Sequence, residues 1–485
     1  MLKELEIVEK KYELVIGLEV HAQLKTHSKL MSPSKNVYGQ GPNTAVASVC
    51  TGMPGALPTL NKKAVEMAIT TALALRCDVR PLSVFSRKHY FYPDLPKGYQ
   101  ISQYDRPYAE NGRVEFFWNN EKCSIGLIRI HLEEDAGKNL HFDERGISLV
   151  DLNRSSVPLI EIVSLPDMRG PEEAGAYLRS LRRVLRYLDV CDGNLEEGNL
   201  RCDANISLRI RGVTTYGTRV ELKNINSFRN LEKALVYEAQ RQFQILEEGG
   251  KISQETRLWD ASLNKSLSMR SKEEAADYRY MPEPDLLPLQ IQDSELKELA
   301  SKLPELPISR AERFIKDYER SAYDADVLTS SKDLADYFEQ VTKTIKDPAL
   351  ASNFIQSAVL ALIQDIENDL PKFYPNADAL SDLLSRVKNS QISLGMAKEI
   401  LEIMVKEKSS AEVIIQARGL SQVSDDGALQ AIVDRVIAAN PKQLAELRSG
   451  KDKLFGFFMG QCQKELQGKG NPGRLKELLE KTLKV

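Results

Sequence analysis

Five segments of the chain alternate apolar residues with polar ones that have chemistry to offer. In residues 18–24, Leu18, Val20, Ala22 and Leu24 alternate with Glu19, His21 and Gln23. In residues 128–135, Ile128, Ile130 and Leu132 alternate with Arg129, His131 and Glu133, and the segment closes on Glu133, Glu134 and Asp135. Glu161 sits in the middle of the otherwise apolar run 158–164. Residues 200–210 set Leu200, Cys202, Ala204, Ile206 and Leu208 against Arg201, Asp203, Asn205, Ser207 and Arg209, and residues 219–223 set Arg219, Glu221 and Lys223 against Val220 and Leu222.

Successive side chains of a strand point to opposite faces, so each segment reads as a strand with one face in a core and one wet. Residues i and i+2 on such a face lie ~6.8 Å apart, close enough for two side chains to meet one ion. Carboxylates gathered on one face repel unless a cation joins them. Oxygen donors with few thiols favour Mg²⁺ or Mn²⁺. Taken singly, a histidine is more often a satisfied structural residue, and a buried glutamate such as Glu161 more often pairs with an arginine. Several such strands in one unit favour a metal and phosphate site.

Two further segments mix rings with cations. Residues 86–105 place Tyr90, Phe91, Tyr92, Tyr99 and Tyr104 among Arg87, Lys88 and Lys97, and residues 277–288 place Tyr278 and Tyr280 around Arg279. Such a mixture can stack bases and hold phosphates, although packing on a core is the commoner use of rings. The chain has no GxxxxGK[ST], no GxGxxG ahead of a helix, no HExxH and no GxSxG, so a phosphate site is expected on a sheet and not on a P-loop.

The elements that must position these residues fall in the first ~290 positions, where Gly-Pro punctuation and strand-like alternation dominate. One helix interrupts them: Pro171 suits its first position, and Tyr177, Leu178, Leu181, Val184, Leu185 and Leu188 follow at helical spacing. From about residue 294 the pattern turns helical. Leu394, Ala397, Leu401 and Met404 form one stripe; Leu429, Ile432, Val433, Val436 and Ile437 form another, with Asp425 and Asp426 available to start its helix. A helix bracketed by prolines is expected within residues 288–307.

At 485 residues the chain exceeds one ordinary hydrophobic core, so two or three domains are expected. Its 66 basic and 69 acidic residues leave a net charge of -3, which argues against a generic basic nucleic-acid coat. Residues 441–485 nevertheless carry ten Lys/Arg against five Asp/Glu, a local excess that attracts a phosphate backbone. Six cysteines without CxxC spacing point to reduced thiols in a cytoplasmic setting. No apolar run approaches the ~20 residues of a membrane span, so no membrane partner is expected.

The segments VIGLEVHAQL, PGALPTLN, RKHYFYPDLPKGYQISQ, HLEEDAGK, SLVDLNRSSVPLIEIVS, EEGNLRCDANIS, ELKNINSF and YRYMPEPDL resemble, in order, the signature segments of the GatB/GatE family of aspartyl/glutamyl-tRNA(Asn/Gln) amidotransferases. The resemblance extends over nearly the whole chain. It implies an α+β fold: a cradle-shaped mixed and antiparallel sheet domain of glutamine synthetase and guanido-kinase type over 1–293, a helical domain over 294–410, and a YqeY-like helical tail over 411–485. It also implies a heterotrimer with an A-type amidase partner, which releases ammonia from glutamine, and a small C-type partner. In that family ATP phosphorylates the side-chain carboxyl of Glu-tRNA(Gln) or Asp-tRNA(Asn), and ammonia displaces the phosphate.

Carried over motif by motif, the resemblance implies Glu19, His21, Glu134 and Glu161 as Mg²⁺ ligands, with Glu133 supporting a second cation. Asp203 and Glu221 join Glu134 and Glu161 as catalytic candidates. Arg87, Lys88, Lys97, Asn205, Lys223 and Arg279 are candidates for holding ATP. Many relatives bind a structural zinc through two early cysteine pairs. Here Ser32-Pro33-Ser34 replaces the first pair and only Cys50 remains of the second, so no zinc is expected. Leu165 stands where many relatives have glutamate. The competing readings are a metal-dependent nuclease or phosphatase on the same acidic face, and a non-catalytic tRNA scaffold.

Overall fold

Strand alternation in the first part of the chain is realised as one large sheet. The structure, a computed structural model, describes residues 2–142, 145–271, 278–420, 426–448, 451, 454–466 and 470–483. Ten strands make the sheet: β1 (Tyr12–Gln23), β2 (Asp78–Val79), β3 (Ala109–Glu110), β4 (Arg113–Trp118), β5 (Glu121–Glu134), β6 (Pro158–Ser164), β7 (Leu200–Ile210), β8 (Val220–Ile225), β9 (Glu255–Asp260) and β10 (Lys265–Ser271). They lie in the order β10-β9-β8-β7-β1-β6-β5-β3-β2, with β4 paired to β5. The pairings are antiparallel except for β8 with β9. With the helices this is the expected α+β class.

The period of two divides the faces as expected. Leu14, Ile16, Leu18, Val20 and Ala22 of β1 are all essentially inaccessible, as are Leu200, Cys202, Ala204 and Ile206 of β7 and Ile160 and Ile162 of β6. They join one core with the helices Pro171–Tyr187 and Phe228–Glu247. Burying each such aliphatic side chain contributes about 1.5–3 kcal/mol. In the first helix Pro171 takes the first turn and Tyr177, Leu178, Leu181 and Leu185 are fully buried. Ser227 starts the second by accepting a hydrogen bond from the Asn230 N–H at 3.1 Å, which satisfies one of the orphan donors of its first turn.

The proline-bracketed helix spans Asp293–Ser301. It belongs to the first compact unit, residues 1–310, since Leu296, Leu299, Leu303 and Leu306 pack on that unit's core. Compact packing thus carries the first unit to residue 310. Residues 311–485 form the second unit, helical where described. In its helix Leu394–Glu407 the residues Ala397, Leu401 and Met404 are buried, whereas Leu394 is exposed because it sits at the very start. Helix Asp426–Ala439 buries Leu429, Val433 and Val436 in a separate core with Leu447, Phe458, Cys462, Leu475 and Leu479. Asp426 begins that helix, and Asp425 lies outside the described residues. Among the described residues no single helix is long and apolar enough to cross a membrane.

Candidate metal and nucleotide site

The pairing register brings the polar faces of five strands together. His21 on β1 lies opposite Glu161 on β6, and Glu161 lies opposite His131 on β5. On the other side of β1, Glu19 faces Asp203 and His21 faces Arg201 on β7. Asn205 of β7 faces Glu221 of β8. Residues separated by two along a strand share a face, so Glu133 stands beside His131 and Glu19 beside His21.

Three donors converge at the centre. His21 Nε2 is 3.4 Å from Glu161 Oε2 and 3.9 Å from Glu133 Oε1, and one ligand atom from each of His21, Glu133 and Glu161 lies within 4.8 Å of the others. His131 Nε2 completes the group at 3.1 Å from Glu161 and 3.4 Å from Glu133. Burial alone would raise both carboxyls and lower both imidazoles. Mutual attraction reverses this: Glu133 is pulled down to about 2, chiefly by its hydrogen bond from His131, and Glu161 falls well below the carboxylate range through His131 and His21. His131 rises to about 9 and His21 also rises. Alternation alone makes His131 no more than a member of a polar face. Its position two residues before Glu133 is the signal that could have placed it in the site.

Glu19 is held at the edge of the group by the Asn205 side-chain amide at 2.9 Å. Its pKa is raised by burial and then by repulsion from Glu161, Glu221 and Asp203. A buried acid surrounded by acids is the situation a cation relieves, and two carboxylates with one borderline imidazole make a mainly oxygen donor set compatible with Mg²⁺ or Mn²⁺. The residues present therefore fit the implied ion, with His21, Glu133 and Glu161 as the ligand candidates that the fold brings together.

Known proteins match this chain over its length. The model described as the GatB/GatE catalytic domain matches residues 14–297, and a second, described as the GatB domain, matches 336–483. The B-type component of the aspartyl/glutamyl-tRNA(Asn/Gln) amidotransferase of Thioalkalivibrio sulfidiphilus is 50% identical over 474 residues, covering 97% of this chain and 99% of the relative. Its namesakes from Thermodesulfovibrio yellowstonii and Chlorobium chlorochromatii are also 50% identical, over 98% and 97% of this chain and 99% of each relative. The chain belongs to the GatB family of tRNA-dependent amidotransferases. The catalytic-domain match contains every residue of the cluster just described.

The remaining candidates of this GatB-family chain are distributed around the cluster. Lys223 bridges Asp203 at 2.5 Å and Glu221 at 3.1 Å, and Glu221 also accepts from Thr256 at 2.8 Å. Arg201 donates to Asp135 at 2.8 Å. Burial would lower the Lys88 ammonium, but Glu133, Tyr280 and Glu161 raise it overall, which places Lys88 within electrostatic reach of the cluster. Lys88 also lies 5.0 Å from the Tyr278 ring centroid.

Glu134 is not brought to the cluster. One residue out of phase with Glu133, it points to the opposite side of β5, where it pairs with buried Lys97 and accepts from the Ile101 N–H at 2.9 Å. The run of acids disguised this, because a strand turns consecutive side chains apart. Lys97 is thereby committed to Glu134. Arg87 is likewise committed, at 2.8 and 2.9 Å to Glu283 and 3.1 Å to Asp285, with its guanidinium 4.2 Å from the Tyr99 ring centroid. Arg279 has a left-handed backbone (φ 40°), and its carbonyl lies 2.9 Å from His89 Nδ1.

Proposed function

We propose that this chain is the tRNA-facing component of a glutamine-dependent amidotransferase, in which ATP activates the side-chain carboxyl of Glu-tRNA(Gln) or Asp-tRNA(Asn) for amide formation. It acts as a carbon–nitrogen ligase in a cytoplasmic heterotrimer with an A-type amidase partner and a small C-type partner. The observation that carries the reading is the convergence of His21, Glu133 and Glu161 on three adjacent strands of one sheet, in a chain half identical to components of such amidotransferases. The sheet domain is read as a cradle of glutamine synthetase and guanido-kinase type. Residues 294–410 are read as a helical domain and 411–485 as a YqeY-like tail.

The carboxylate oxygen of the aminoacyl group attacks the terminal phosphorus of ATP, ADP leaves, and an acyl phosphate forms. Ammonia then attacks the acyl carbon, phosphate leaves, and a proton is lost to give the amide. Mg²⁺, when bound by His21, Glu133 and Glu161 with Glu19 close by, offsets phosphate charge. His131 holds Glu133 and Glu161 in place by contacting both carboxylates. Asp203 and Glu221 aim the Lys223 ammonium at the polar face where phosphates would lie, and Lys88 adds positive charge at the cluster. Arg279 remains a candidate for the nucleotide, whereas Arg87 and Lys97 support the architecture through Glu283 and Glu134.

The test is a reconstituted complex given ATP, glutamine and both misacylated tRNAs. Glu161→Gln and Glu161→Ala are expected to lower tRNA-dependent ATP turnover by at least about a hundredfold while tRNA affinity changes little. Wild-type amidation that proceeds without ATP would overturn the proposal.

A further inference from the structure

Apart from the acidic cluster, the first unit buries a second group of reactive side chains. Lys29 is fully buried, which is rare for a lysine without an ion pair. Its Nζ contacts the Cys50 Sγ at 3.9 Å and the Leu152 carbonyl at 3.4 Å. Among the described residues no carboxylate lies within ion-pair distance of it. An ammonium has three donors to satisfy, and two long contacts serve it poorly. Burial accordingly pulls the Lys29 pKa down, against opposing attraction from Cys50, Asp151 and Glu134, which brings the neutral amine within reach.

Cys50 is fully buried too, and its Sγ lies 3.6 Å from the Ser32 hydroxyl. One thiol and one hydroxyl make no tetrahedral metal site. The cover over the thiol is thin, since Ser48, Gly52 and Met53 around it are exposed. The Cys50 N–H donates to the Ala47 carbonyl at 2.9 Å, and the Ser155 hydroxyl donates to the Cys50 carbonyl at 3.2 Å. A thiol beside a basic nitrogen is in the setting that yields thiolate, and local opening of the exposed turn admits a reagent little larger than water.

We propose that Lys29 and Cys50 form an oxidative modification site, at which hydrogen peroxide joins the amine and the thiol in a covalent S–N (sulfenamide) link. The Lys29 amine takes the thiol proton, the sulfur attacks one peroxide oxygen, and the O–O bond breaks. The departing hydroxide takes the proton back from the ammonium and leaves as water. Cys50 is then a sulfenic acid facing a neutral amine, and such acids condense with a nearby nitrogen. Nζ attacks sulfur, the S–O bond breaks, and a second water leaves with one nitrogen proton. One amine, one thiol and one peroxide thus give one link and two waters, with sulfur supplying the two electrons that reduce the peroxide. Rotation of the flexible lysine stem closes the remaining separation. Neither residue belongs to the machinery assigned above, so the site stands apart from the ATP reading.

The link joins positions 21 apart and fastens the turn around Cys50 to the segment that follows β1. That segment is tied in turn to the approach to β6, by the Leu30 N–H to the Ser156 carbonyl at 2.8 Å and the Met31 N–H to the Ser156 hydroxyl at 3.3 Å. Closing such a loop narrows the unfolded ensemble, so oxidised protein unfolds at a temperature several degrees higher.

The test treats the full-length protein in its complex with hydrogen peroxide, alkylates it and digests it with trypsin for mass spectrometry. Met269, more than half exposed, reports the dose as its sulfoxide. The expected product is a peptide uncut at Lys29 and joined to the one carrying Cys50, lighter than their sum by two hydrogens once methionine sulfoxide is counted, and separated again by dithiothreitol. Cys50→Ser and Lys29→Met lose the link and the rise in unfolding temperature, and in Lys29→Met the untrapped Cys50 goes on to sulfinic acid. If Met269 is wholly converted while trypsin still cuts after Lys29 in the wild type, the pair is no modification site, a result that needs no variant to fold. A joined product that keeps the peroxide oxygen would overturn the S–N chemistry.

Discussion

At the residue scale, Glu133 and Glu134 show how one step along a strand separates two roles. Glu133 faces the histidines, and Glu134 faces Lys97 in a setting where both partners are almost wholly buried. Removing one member of a buried ion pair costs about 3–5 kcal/mol. Glu134→Gln should therefore lower the denaturation midpoint of the protein while leaving the Mg²⁺ dependence of ATP turnover unchanged. A shift in Mg²⁺ dependence without loss of stability would return Glu134 to the metal site. His131 predicts the converse. It touches both candidate ligand carboxylates, and loss of such a supporting group typically lowers metal affinity about 10–100-fold. His131→Ala should raise the Mg²⁺ concentration needed for half-maximal turnover by about that factor, and saturating Mg²⁺ should restore much of the rate.

At the scale of elements, the turn joining helix Pro171–Tyr187 to β7 is closed by a thiol. Cys191 Sγ accepts from the Gly193 N–H at 3.3 Å and donates to the Asn199 carbonyl at 3.5 Å. Burial pushes its pKa up to about 12, slightly countered by the Gly193 hydrogen bond. The folded chain thus keeps the thiol protonated where the unfolded chain, with a pKa of about 8.5, releases it. The resulting stability is fully present below about pH 8.5 and is lost as pH rises towards 12. Denaturant melts at pH 7, 9 and 10 should show a steeper alkaline loss for wild type than for Cys191→Ala, whose baseline stability is lower. Parallel pH profiles would refute this.

At the scale of the whole molecule, the two compact units have different chemistry. The cluster and the Lys29–Cys50 pair both lie in residues 1–310, whereas the positive excess lies at the end of the second. There Phe458 is fully buried in the terminal core, so its ring serves packing. Removing residues 426–485, which hold a core of their own, should weaken tRNA binding and flatten its salt dependence while ATP binding persists. Equal salt slopes with and without the segment would place the RNA contact elsewhere.

Alternation in the primary sequence already determined which side chains share a strand face, because a period of two follows from backbone geometry alone. It therefore grouped Glu19 with His21, His131 with Glu133, and Asp203 with Asn205 correctly, and the long ordered motifs carried the family. Pairing register was decided only in three dimensions, since it arises from which strands lie side by side. That order, β7-β1-β6-β5, set Glu161 between His21 and His131. Packing outside that order left Glu134 with Lys97 and Arg87 with Glu283, partners 37 and 196 positions distant. The meeting of Lys29 with Cys50 was equally hidden, because a contact across 21 positions is a property of how strands and loops pack and has no signature in any one of them.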